Sequence, residues 1–225
     1  LLQLASLLAL AAAFAGVIRR RRFAECWMFP VYLLVVFACE GSVLLWPERF
    51  FTWSAYVVRQ WTYDVLLLGV AFELARRAFW AFPGARATAR AAFLAILTVT
   101  AISIFAATPA GRHGNSSFYL TALLTIEPRL LNATIWLFVA TSRLVIFFNI
   151  PVSDWHRAIS LGFAIYLVVS VTGLNLLRSF GWDLRAFISF FDGFAYLALG
   201  ACWAVAAWQK AEARELVPAS VHRLA

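Results

Sequence analysis

Seven side chains stand where the surrounding apolar sequence makes them costly: Glu40, Arg59, Tyr63, Asp64, Glu127, Arg129 and Asp192. Each lies in or beside a run long enough to cross a bilayer, where an ionisable group normally faces the bundle interior or a water-filled cavity. Such a set can bind a small ligand or ion within the membrane, or carry a proton. It can also be structural, with Arg59 and Arg129 facing Asp64 and Glu127 across the bundle, so that removing either arginine strands a buried charge. Four acids against two arginines leave carboxyl in excess, so at least one is protonated, water-exposed or paired with a more distant cation. Thr98, Thr100, Ser103, Asn132, Ser170, Thr172 and Asn175 fall in the same zone, while the other half of each run is more apolar. The expectation is a polar ligand cavity lined mainly by the second, third, fifth and seventh runs and open on one side of the membrane.

Two local readings go with it. Pro128 either kinks the fifth helix and splays Glu127 and Arg129 inward, or marks the start of that helix with the charges at its end. Glu73 precedes Arg77 by four residues, the spacing of an exposed helical pair, and its neutralisation is expected to be nearly silent.

Other chemistries lack their residues. His113, His156 and His222 all lie outside the apolar runs, so paired haem ligands are absent, as is His-Glu-x-x-His. Cys26, Cys39 and Cys202 are isolated and read as packing residues. No Gly-x-Ser-x-Gly, Walker or dinucleotide motif occurs, and the last run lacks the lysine on which a microbial rhodopsin carries retinal. The expectation is a protein that is not an enzyme and takes no cofactor and no metal.

The elements that position these residues follow from hydropathy. Of 225 residues 64% are hydrophobic and 13% charged, against about a quarter charged in soluble domains. Apolar runs fall at approximately 1–18, 26–46, 54–79, 89–107, 118–149, 158–178 and 186–208, each near the ~20 residues that span a hydrocarbon core. Their continuity excludes a barrel, whose strands alternate. The fold class is therefore all-α: a polytopic membrane protein of seven transmembrane helices, with a bundle over 1–209 and a tail over 210–225.

The net charge of +8 reflects topology rather than a nucleic-acid partner. Arginines collect at Arg19 to Arg22, Arg76, Arg77, Arg86, Arg90, Arg143 and Arg157 on one face, which predicts an outside N-terminus and a cytoplasmic C-terminus in an inner membrane. Trp27, Trp46, Trp53, Trp80, Trp155, Trp182 and Trp208 lie near run ends and read as interfacial anchors.

The stretch Tyr56-Val57-Val58-Arg59-Gln60-Trp61-Thr62-Tyr63-Asp64, closing in Phe72-Glu73-Leu74-Ala75-Arg76-Arg77, resembles a group of bacterial seven-helix integral membrane proteins. Ile126-Glu127-Pro128-Arg129 and His156-Arg157-Ala158-Ile159-Ser160-Leu161-Gly162-Phe163 look like their fifth helix and sixth-helix entry. The likeness implies the seven-helix fold and brings no assigned activity. The first expectation is a binding or sensing protein with a cavity open to the periplasm. An accessory subunit of a larger membrane complex or homo-oligomer, and a proton- or ion-coupled carrier, are the alternatives. Lipid is the common partner.

Overall fold

A computed structural model describes residues 2–79, 83–107, 126–150 and 152–209. Among these the chain forms helices and no strands. They are α1 Leu2–Arg19, α2 Met28–Leu45, the short α3 Pro47–Phe50, α4 Trp53–Phe79, α5 Pro83–Ala107, α6 Glu127–Phe147, α7 Asp154–Phe180 and α8 Arg185–Trp208. The connection 108–125, with His113, and the tail 210–225, with Lys210 and His222, lie outside the described residues, as does Trp80.

Local chemistry sets the helix ends. Ser153 caps α7 by accepting the His156 amide at 3.2 Å, with Asp154 in the first turn, and Gly181 ends the helix at φ 80. His156 therefore sits in the first turn of α7 rather than in a loop. Glu127 and Pro128 are the first residues of α6, after Ile126, whose backbone is already helical at φ −81 and ψ −50; the stretch on which the two readings of Pro128 differ lies outside the described residues.

Among the described residues five helices are long and apolar enough to cross a membrane: α1, α2, α6, α7 over Asp154–Leu177, and α8. Only 17–39% of their most apolar stretches is buried inside the protein, so most of their surface faces outward and is suited to lipid. Leu8, Leu45, Ile146, Ile165 and Phe187 are among the outward side chains. α4 carries Arg59, Asp64, Glu73, Arg76 and Arg77, and the apolar part of α5 is confined to Ala87–Ser103.

Neighbouring helices close a ring in the order α1, α2, α4, α6, α7, α8 and back to α1, while α5 packs outside it against α4 and α6. The α1–α8 seam depends on small residues, as in close helix pairs in lipid. A Cβ on Gly16 would lie 2.8 Å from Ala207 Cβ, and one on Gly200 would lie 3.2 Å from Ala9 Cβ.

One end of the ring is filled. Phe29 meets Trp203 edge-on at 4.9 Å and Trp155 at 5.3 Å, and Phe163 meets Trp203 at 4.6 Å and Tyr32 at 5.2 Å. Such T-shaped pairs add to the burial of the rings. Trp155 is thus a core residue, not an interfacial anchor, with the Arg22 guanidinium over its ring at 5.3 Å. Trp27, Trp46, Trp53 and Trp208 are exposed near helix ends, as expected of anchors.

The same end carries a latch that the helical spacing of Glu73 and Arg77 conceals. Arg77 does pair with Glu73 at 2.7 Å, yet Glu73 is only 5% exposed. Its carboxylate accepts the amides of Trp27 at 3.1 Å and Met28 at 2.7 Å and the Cys26 thiol at 3.3 Å. Glu73 therefore caps α2, whose own N-cap, Trp27, offers no side-chain acceptor. Burial pushes the Cys26 thiol up to about 12, and the neighbouring Glu73 charge adds to the shift. Glu73 is thus not a local surface pair, and Cys26, which packs in the core as expected, also donates to it.

Candidate functional site

The other end of the ring encloses a cavity of about 830 Å³. It is built from the first turns of α1, the face of α2 that carries Tyr32, Val36 and Glu40, the first half of α4, the start of α6, the second half of α7 and the first half of α8. All six ring helices contribute, and α5, outside the ring, does not. Exposed Phe51, Thr52 and Ala186 mark the mouth, and buried Leu10, Tyr32 and Leu167 mark the floor. From Arg185 at the mouth to Tyr196 at depth is eleven residues of α8, about 16 Å at 1.5 Å per residue, roughly half of a 30 Å hydrocarbon core.

Six of the seven residues singled out from the sequence line this cavity: Glu40, Arg59, Tyr63, Asp64, Glu127 and Asp192. Their pairing differs from the expectation. Arg59 and Tyr63, four residues apart on α4, share a face and converge on Glu40, at 3.8 Å and 3.2 Å from Oε1. Gln3 of α1 donates to Glu40 Oε2 at 3.2 Å, and the Arg59 guanidinium also lies over the Tyr56 ring at 5.6 Å. Asp64 is one residue beyond Tyr63 and so turned ~100° away from that face. It is 2% exposed, and neither of its carboxyl oxygens has a hydrogen-bond partner.

Arg129 is not part of the cavity; it donates to the Ser103 carbonyl of α5. It follows Glu127 by two residues, a rotation of ~200° once α6 begins at Glu127, so one faces the cavity and the other faces away. The expectation that Arg59 and Arg129 neutralise Asp64 and Glu127 is overturned. Among the described residues no arginine or lysine pairs with Asp64, Glu127 or Asp192. Asp192 accepts from Tyr166 at 3.5 Å through Oδ2, and its Oδ1 is buried without a partner.

No protein-family model, curated protein or solved structure matches the chain. The reading of the site therefore rests on its own geometry. Sequence reasoning missed the contributions of α1 and α7 and the tyrosine wall, in which Tyr32, Tyr56, Tyr166 and Tyr196 join Tyr63. A signal was present, since Arg59 and Tyr63, Tyr166 and Ser170, and Asp192 and Tyr196 are each four residues apart and each pair faces the cavity.

The arrangement presents groups that can bind a small molecule. Among the described residues no three His, Cys, Asp or Glu side chains converge as metal ligands. Unpaired carboxyls and phenolic rings offer charge, hydrogen bonds and flat apolar surface in a space of the size that takes a small organic ligand. A second cavity, about 630 Å³ between α6 and the start of α7, contains His156, Arg157 and Ser160 but no acid.

Proposed function

We propose that the chain is a multi-pass inner-membrane protein of seven spans that binds a small ligand from the periplasmic side without transforming it, and acts as a sensor. The observation that carries this reading is the cavity at the arginine-poor end of the bundle, with the buried carboxyls of Asp64 and Glu127 and the half-buried carboxyl of Asp192, none of which pairs with an arginine or lysine among the described residues. An uncompensated ionisable group inside a membrane bundle is costly and is characteristic of a functional site. The arginines at the opposite end of α1, α4 and α6 support an outside N-terminus and a cytoplasmic C-terminus, which opens the cavity to the periplasm.

Two features favour sensing over transport. The floor at Tyr32 rests on the aromatic cluster of Phe29, Phe163 and Trp203, which blocks passage to the other side. α8 also connects the two ends: Asp192 and Tyr196 line the cavity, Trp203 belongs to the cluster, and Trp208 donates to the Ala12 carbonyl at 3.0 Å beneath the Arg19 guanidinium. A ligand touching Asp192 thus acts on the helix that leads into the cytoplasmic tail. The second reading, an accessory subunit, is favoured by α5, which stands outside the ring with Leu94, Leu97, Val99 and Ile102 exposed.

The test is sided labelling of Ser189→Cys, at the exposed rim of the cavity, with Cys39 and Cys202 replaced by alanine and Cys26 left buried. A membrane-impermeant maleimide added to spheroplasts labels this cysteine if the cavity opens to the periplasm. Labelling only after permeabilisation overturns the orientation, and no labelling in either condition overturns the open cavity.

A further inference from the structure

Asp64 is the group in the cavity with the least reason to be there as structure. It is 2% exposed, both of its oxygens lack hydrogen-bond partners, and it lines the space. A buried carboxyl in this state lacks the compensation that buried polar groups almost always have, and no described residue supplies it. Around it, Glu127 and Asp192 add carboxyls without a cationic partner among the described residues, and five tyrosines, whose ring faces can attract a cation, line the space. The cavity already holds one cation in this manner: the Arg59 guanidinium sits 3.8 Å from the Glu40 carboxylate and 5.6 Å from the centre of the Tyr56 ring.

We infer that the ligand is a small organic cation, an alkylammonium or amine, whose charged nitrogen is held by Asp64 in the same carboxylate-and-tyrosine manner in which Glu40 and Tyr56 hold Arg59. The inference rests on the cavity being a ligand site. A metal ion fits less well, because no three ligating side chains converge among the described residues. An anion would meet uncompensated acids. A volume of about 830 Å³ leaves room for a body of several carbons beside the nitrogen.

The experiment uses the full chain in nanodiscs carrying Ser189→Cys, with tetraethylammonium, n-butylammonium, butyrate and 1-butanol as probes. The two cations are expected to slow maleimide labelling of the cysteine saturably, by fivefold or more, and to raise the thermal midpoint. Butyrate and butanol are expected to do neither. Asp64→Asn is expected to weaken cation protection at least tenfold, while labelling without probe stays fast. Protection by butyrate or butanol alone overturns the cationic ligand and leaves the ligand cavity standing. Absence of protection by any probe, with the cysteine still labelled, also overturns it. A cysteine that is not labelled at all removes the cavity reading itself. Should Asp64→Asn fail to fold, the comparison of the four probes on the Ser189→Cys chain decides alone.

Discussion

Asp64 and Glu73 sit on the same helix, are both nearly fully buried, and have opposite surroundings. Glu73 is satisfied by two backbone amides, a thiol and Arg77, so Glu73→Gln removes the charge from several charge-assisted bonds. A loss of about 2–3 kcal/mol is expected, since hydrogen bonds to charged groups contribute ~1.5–3 kcal/mol each. Thermal unfolding in detergent checks this, and an unshifted midpoint would restore the exposed-pair reading. Asp64→Asn should leave stability unchanged or raise it by up to ~2 kcal/mol, because an unpaired buried carboxyl stabilises nothing in the free protein. A clear fall would identify Asp64 as structural. The costliness of Asp64 was legible from the sequence. That of Glu73 was not, because Arg77 at four residues' distance supplied a sufficient local explanation while the amides of Trp27 and Met28 come from the start of a different helix.

At the scale of the helices, hydropathy located the long elements to within a few residues, since lipid exposure makes each run apolar almost throughout. The exception is the fifth run, where the helix begins at Glu127 and the preceding stretch lies outside the described residues. Hydropathy said little about which helices touch, because in lipid the contacts depend on small residues and shape rather than on an apolar face. The ring of six with α5 outside it, and hence the lining by α1 and α7, followed from close approaches such as Gly16 to Ala207. Gly16→Ala places a methyl 2.8 Å from Ala207 Cβ and 3.0 Å from the Trp208 ring, and overpacking of this kind costs about 1–3 kcal/mol. Gly41→Ala, on α2 with nothing within 4 Å of the added methyl, should be neutral or stabilise by roughly 0.5–1 kcal/mol through helix propensity. Equal destabilisation of both variants in thermal unfolding would contradict the seam.

Taken whole, the molecule is divided along its length, with an aromatic, latched half at the arginine-rich end and a hollow polar half at the other. If that division is read correctly, one helix must be wet on one face and lipid-exposed on another over its first three turns. Ser189 and Tyr196 of α8 line the cavity, while Phe191 and Phe194 are exposed and do not line it. The most direct measurement is the reaction rate of single cysteines at these four positions with a small charged methanethiosulfonate, which reacts with thiols in contact with water. The account predicts fast reaction at 189, measurable reaction at 196, and little or none at 191 and 194. Reaction at 191 and 194 with none at 189 and 196, or equal rates at all four, would contradict a water-filled cavity within the ring.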